Sequence, residues 1–325
     1  MNRAREGFVL VSVLWVVALL TVITLSYHHR ARLEVQASRY SLDSSQAMLA
    51  ARGAVERGIL DLRNKSLLDQ LAARPGMPEG APLVSLGQPW ARGGELYGED
   101  GLLEAGETFR EDSVGYTIKD LERFVNINTA PEAVLEKLPG ISRPVARQIQ
   151  FRRSGADDAG APSGAGRVSF QDIAELRGLR GISDEDWLGG GRDGALRDLI
   201  TTFGDGRVNV NTASRDVLRV LPDVDEKAVE ALVAVRNGTD GQAGTADDRG
   251  WSDWDSFATE TGIQGGALQS LKQLCKFDSS YFKIEGVATR RGGRIRSACA
   301  AVVHVTGESG VATLISWTEE PLGAQ

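Results

Sequence analysis

The 325-residue sequence predicts an α+β fold: a long N-terminal helix packed on a small antiparallel sheet, with a large all-helical domain inserted between the strands. Three observations predict it. Residues 8–65 contain no proline and repeat apolar side chains at helical spacing. Residues 122–274 contain one pattern twice, and residues 113–119 and 281–317 alternate as strands do. Composition sets the outer bounds. Hydrophobic residues make up 42% and charged residues 25%, which is globular rather than disordered. Lys plus Arg total 37 against 44 Asp plus Glu, and this net −7 disfavours a general nucleic-acid binder, which needs excess positive charge at phosphates.

The helix comes first. Residues 1–7 are polar and mildly basic, and Phe8 to Leu25 then carry no charge over 18 residues. That is the lower limit for a bilayer-spanning helix and longer than the apolar core of an ordinary secretory signal; no small-residue cleavage site follows it. His28, His29, Arg30 and Arg32 lie just beyond, so basic residues flank both ends. Past them Leu33, Tyr40, Ala47, Met48, Ala51, Val55, Ile59 and Leu62 draw one apolar stripe, weakened only at Gly53 and Gly58. By itself this reads as a membrane anchor. Glu6-Gly7-Phe8 adds more: a charged leader ending in Gly, with Phe opening the apolar run, resembles a type IV prepilin or type II secretion pseudopilin signal. The resemblance implies cleavage by a prepilin peptidase between Gly7 and Phe8 and methylation of the new N-terminus. The Glu usual at the fifth mature position is absent and Ser12 stands there, as in the K pseudopilins.

The duplication is offset by 83 residues. Val125-Asn126-Ile127-Asn128-Thr129-Ala130 matches Val208-Asn209-Val210-Asn211-Thr212-Ala213, and Leu138-Pro139 and Arg153 match Leu221-Pro222 and Arg236. After one inserted residue, Phe170, Ile173 and Gly178 align with Trp254, Phe257 and Gly262. Asn128-Thr129 and Asn211-Thr212 offer N-cap chemistry, and Pro131 suits a first helical turn. Leu138-Pro139-Gly140-Ile141 with Ala146 and Ile149 resembles a helix-hairpin-helix, SAM-like unit, a motif whose backbone N–H groups hold phosphate in DNA-binding members. That leaves a membrane-anchored, competence-type DNA receptor as the alternative. Ser142 in place of the second Gly, and Asp223, Asp225 and Glu226 in the second copy, speak for a packing unit instead.

Between Arg236 and Arg249 the second copy carries Asp240, Asp247 and Asp248 among glycines, with Gln242 and Thr245 beside them. These oxygen donors suit a hard cation such as Ca²⁺, although the EF-hand spacing is missing. The alternative is a solvated Asp/Gly turn. The first copy keeps only Asp157-Asp158.

The flanks supply the sheet. Residues 72–112, rich in Gly, Pro and Glu, read as an irregular loop. Strands are expected at Ser113–Lys119, Tyr281–Ala288, Ile295–Val305 and Val311–Trp317, with Gly-rich turns between the last three. Cys275 and Cys299 either pair in an oxidising compartment or stay as buried thiols. No H-E-x-x-H, G-x-S-x-G or phosphate-binding P-loop occurs, and Gly189–Gly194 fits G-x-G-x-x-G without the preceding strand that motif needs. No enzyme is expected.

Leader, missing Glu, doubled module and flanking strands together resemble the general secretion pathway protein K family over nearly the whole chain. The resemblance implies a pilin-like body and a minor pseudopilin that nucleates or caps the pseudopilus tip. Its implied partners are minor pseudopilins I and J, then H, along with the prepilin peptidase and inner-membrane lipid; nucleic acid is not expected. It implies a single pass through the inner membrane, a periplasmic C-terminal domain, and structural calcium in the helical domain. The organisation so read is a leader at 1–7, a transmembrane and fibre-core helix at 8–25, and the first part of the pilin-like domain at 26–121. The helical insert follows at 122–274 (repeats 122–205 and 206–274), and the C-terminal strands occupy 275–325.

Overall fold

A computed structural model describes residues 3–72, 84–98, 101–103, 113–154, 168–189, 194–306 and 311–322. Helix α1, Arg3–Ala72, is one continuous helix of 70 residues, about 105 Å long at 1.5 Å per residue. Thr21 and Thr24 donate their hydroxyls to the carbonyls of Val17 and Leu20, so the apolar half leaves neither hydroxyl unpaired. From Val11 to Tyr27 its large apolar side chains are all exposed.

The stripe expected along the whole helix divides in two. Leu33 and Tyr40 are exposed, whereas Ala47, Ala51, Ala54, Val55 and Leu62 are buried. The cause is reach: the sheet covers α1 only from about residue 47 onward.

That sheet has six strands in the order β10-β9-β8-β3-β1-β2: β1 Gly94–Gly98, β2 Gly101–Leu103, β3 Val114–Asp120, β8 Tyr281–Arg290, β9 Ile295–Val305 and β10 Ala312–Leu322. Every pairing is antiparallel. Tyr116, Ile118, Phe282, Ile284, Cys299, Ala301 and Val303 point from one face onto α1. Arg52 pairs with Glu319 on β10 at 2.7 Å, and Tyr116 donates its hydroxyl to Asp61. The four expected strands are present. The expected loop is corrected in part: β1 and β2, with a short helix α2 at Pro89–Arg92, lie within it. Their glycines hide the alternation, and β1 is held by pairing with the free edge of β3 rather than by local preference.

Between β3 and β8 the chain is mostly helical and has its own core, built around Phe170, Leu176, Leu218, Leu232 and Phe257. The first half contains β4 Val125–Asn126, α3 Glu132–Leu135, α4 Arg143–Ser154, a 3-10 turn at Ile173–Gly178, α5 Asp184–Leu188 and β5 Ile200–Thr201. The second contains β6 Val208–Asn209, α6 Arg215–Arg219, α7 Glu226–Arg236, α8 Trp254–Thr261, α9 Gly265–Leu274 and β7 Cys275–Lys276. Each half closes on itself, since β4 pairs in parallel with β5, and β6 with β7.

Matched hydrogen bonds relate the halves. Asn126 Oδ1 accepts from the amide of Asn128, and Asn209 Oδ1 from that of Asn211. Asn128 exchanges two bonds with the backbone of Phe170, and Asn211 does so with Trp251. Arg153 Nη1 donates to the carbonyls of Ile127 and Ala130, and Arg236 Nη1 to those of Val210 and Ala213.

Two expectations are corrected here. Phe170 corresponds to Trp251 and not Trp254; the three-residue slip goes unnoticed in sequence because three residues nearly complete a helical turn. Asn128 and Asn211 are not N-caps: their amides cross to a distant backbone, and the caps are Pro131, with no side-chain bond, and Ser214.

Candidate functional site

Three places carry polar chemistry: the joint between sheet and helical module, the acidic loop, and the hairpins. At the joint, the Asp120 carboxylate ends β3 fully buried. Its Oδ2 accepts from Thr212 Oγ1 at 2.6 Å, Ser279 Oγ at 2.7 Å and Asn209 Nδ2 at 3.1 Å, and its Oδ1 accepts from the amide of Glu122 at 2.8 Å. Burial raises its pKa, countered in part by the Thr212 and Ser279 hydroxyls. Two residues on, buried Glu122 meets Lys276 Nζ at 2.8 Å, and Asp205 lies 3.3 Å from the same ammonium. Burial lowers the Lys276 pKa, but the Glu122 hydrogen bond and the charges of Glu122 and Asp205 outweigh it, leaving it raised. These residues were missed in sequence. Little in the sequence signals them: Asp120 and Glu122 stand in the charged run Lys119-Asp120-Leu121-Glu122-Arg123, and only Lys276, between Cys275 and Phe277, is set in apolar company.

The acidic loop follows α7 and is anchored by the amide of Arg249 on the carbonyl of Arg236 at 2.7 Å. Gly87 lies against it so closely that an added Cβ would sit 2.4 Å from the Asp248 carbonyl. Asp247 Oδ2 accepts from the amide and hydroxyl of Thr239 and the amide of Asp240, and its Oδ1 accepts from Thr245. Hydrogen bonds from the Thr245 and Thr239 hydroxyls hold its pKa far below the carboxylate range. Asp248 accepts from the amide of Gly244, Asp240 from that of Gln242, and the Gln242 carbonyl from Thr245. All five residues named from sequence thus fall in one loop, and their oxygens fit a hard cation chemically. Among the described residues, however, no three His, Cys or acidic side chains converge in metal-binding geometry, because loop amides and hydroxyls take up the carboxylates. Asp157-Asp158 and residues 190–193 of the glycine motif lie outside the described residues.

Of the two readings of the cysteines, pairing or buried thiols, the structure has the second. Both cysteines are free; Cys275 is buried in the helical core and Cys299 in the sheet core, its sulfur 3.4 Å from that of Met48. Burial raises both thiols, Cys275 far above the usual range. Gly7 and Phe8 lie within α1.

At the first hairpin Gly140 adopts φ +71°, and a Cβ there would meet the Asp186 side chain. A carboxylate against the hairpin's phosphate-facing turn opposes DNA binding.

Comparison with known proteins bears on the whole arrangement. No family model matches the chain. A chain in the crystal structure of the GspK–GspI–GspJ complex of the enterotoxigenic Escherichia coli type 2 secretion system shares the fold. Its TM-score is 0.54 at 17% identity, over 87% of this chain and 99% of that one. "Type II secretion system protein K" of Pseudomonas aeruginosa strain PAO1 is 28% identical over 264 residues, spanning 73% of this chain and 74% of that protein. The chain is a homologue of type II secretion system protein K. The K homologue so placed combines a mixed α+β fold with an apolar N-terminal helix of membrane-spanning length, 0% buried over its apolar window.

Proposed function

We propose that the chain acts as a minor pseudopilin at the tip of the type II secretion pseudopilus, where it nucleates or caps the fibre that drives protein export across the outer membrane. One observation carries the reading. A single unbroken helix presents a bare apolar half and seats its other half on a sheet, while a bulky helical module emerges from the sheet's centre. The bare half suits lipid first and neighbouring fibre helices afterwards. The module, on a pilin-like body and built of two helix-hairpin-helix, SAM-like units, is too large to let another subunit stack above it.

In this reading the chain starts as a single-pass inner-membrane protein with its C-terminal domain in the periplasm. A prepilin peptidase cuts between Gly7 and Phe8 and methylates Phe8. Minor pseudopilins I and J are the first partners and H follows; the similarity to a structure of the GspK–GspI–GspJ complex supports I and J. Calcium belongs in the Asp240–Asp248 loop, held by Asp240, Asp247 and Asp248 with Gln242 and Thr245 in support. It would supply structural cross-linking there. Co-expression of the full chain with I- and J-type subunits of its own system tests the function. A ternary complex after detergent extraction, with N-terminal sequence starting at Phe8, is expected; a processed chain that enriches neither subunit refutes it.

A further inference from the structure

A cleft of about 890 Å³ lies between the helical module and the sheet face turned away from α1. That volume falls in the upper part of the roughly 300–1,000 Å³ range of ligand sites. We propose that it is a docking groove for an extended, carboxylate-rich segment of a partner polypeptide.

The floor gives the first reason. Lys119 on β3 and Lys283 on β8 are register partners, and both line the cleft. Like charges directly opposite on a sheet are destabilising. Lys283 has Glu285 at 2.5 Å, but Lys119 has no ion-pair partner among the described residues. The wall gives the second. Arg123 lines the cleft, and its buried Nε has no hydrogen-bond partner among the described residues, a condition that folded proteins rarely tolerate. Its guanidinium lies 5.7 Å from the Phe124 ring centre.

Charge complementarity selects the occupant. Lys119, Arg123, Arg197 and Lys283 face two carboxylates, Asp172 and Asp198, in a chain whose overall charge is −7. Asp172 already accepts from the amide of Ala174 as a helix cap, and Asp198 lies 3.8 Å from Arg197. Acidic side chains reaching in would relieve the Lys pair and add to the negative charge near the Arg123 guanidinium. Apolar walls from Phe124 and Trp187 would hold the aliphatic stems between the charges. The groove is separate from the acidic loop and from the bare half of α1, so its failure would leave the pseudopilin reading intact.

The test uses the full chain in detergent micelles and a short fluorescent peptide of alternating Glu and Ser, followed by anisotropy. Binding that weakens with salt is expected, with none for the same peptide carrying Gln for Glu. The double variant Lys119→Glu/Lys283→Glu should weaken binding by at least about tenfold, while Lys227→Glu, at an exposed position of α7, leaves it unchanged. Should the double variant fold poorly, Lys119→Gln and carbodiimide cross-linking of the wild-type complex decide the matter. Cross-links at Lys119 or Lys283 support the groove, and cross-links confined to other lysines overturn it. Absence of peptide binding, equal binding by both peptides, or equal loss in Lys227→Glu overturns it too. So does displacement of the peptide by free citrate or single-stranded DNA at comparable concentration.

Discussion

Gly286, midway along β8, is a point of close approach between helix and sheet. A Cβ built there would lie 2.3 Å from the carbonyl oxygen of Ala51, 2.9 Å from Val55 Cγ2 and 3.0 Å from Val55 N. Two of these three obstacles are backbone, so no rotamer change clears them. To restore an ordinary contact of about 3.4 Å, α1 must retreat by about 1 Å. That retreat loosens Ala47, Ala51, Ala54 and Val55, all 0% exposed. Overpacking a tight core costs about 1–3 kcal/mol, and a rigid obstacle places Gly286→Ala near 3 kcal/mol. For a unit of this size the midpoint should fall by roughly 6–12 °C. Gly53 is the control. It lies in the same helix with nothing within 4 Å of its added Cβ, so Gly53→Ala should gain about 0.5–1 kcal/mol from helix propensity alone. Thermal unfolding followed by circular dichroism of the full chain in detergent reads both. A Gly286→Ala variant that melts with the wild type, or a Gly53→Ala variant that drops equally, refutes the close seating of α1 on β8.

The duplication allows an internally controlled comparison. Arg236→Met strips a donor from the buried carbonyls of Val210 and Ala213 and should cost about 2–4 kcal/mol, while Arg153→Met, at a half-buried site facing the equivalent carbonyls of Ile127 and Ala130, should cost about 1 kcal/mol; chemical denaturation checks the order. Lys276→Met leaves Glu122 buried without its cation and should lower stability by about 3–5 kcal/mol by the same measurement, with Glu122→Gln/Lys276→Met recovering part of the loss. Asp247 is depressed in the folded chain, so the stability it gives is present above its unfolded value of about 3.9 and is lost as pH falls through its lower folded value. Amide exchange at Thr239 and Asp240 should therefore stay slow at pH 4, and Asp247→Asn should speed it there. Calcium added to the full chain should raise its melting midpoint, and Asp240→Ala/Asp248→Ala should abolish that rise. Both thiols should resist a thiol reagent in the native chain and react in urea.

Much of this was legible in sequence because the signals were local and periodic. The proline-free run, the alternation of β8 and β9, and the repeated Val-Asn pair each stand out without a partner. What escaped depends on distant contacts. β1 forms on an edge that β3 provides, so its own glycines conceal it. The Asn128 amide finds Phe170, 42 residues away, where capping rules direct it to the next turn. Cys275 and Cys299 belong to different cores, a fact no spacing encodes. At the acidic loop the residue types were evident, but the hydrogen bonds that turn each carboxylate inward were not.

The helical module leaves the sheet and returns to it at adjacent strands: β3 and β8 pair from Val114–Ala288 to Asp120–Phe282, and the Leu121 amide still reaches the Tyr281 carbonyl at 2.9 Å. Mechanically, the module hangs from the open end of a zipper. A load pulling it away from the sheet would peel that ladder one rung at a time, the weakest geometry for a sheet under tension. Asp120, with Asn209, Thr212 and Ser279 gathered on its carboxylate, sits at the first rung, and the Glu122–Lys276 pair crosses just above. The joint is thus a clasp across the zipper's mouth, placed where a load on the module would otherwise start to open the sheet.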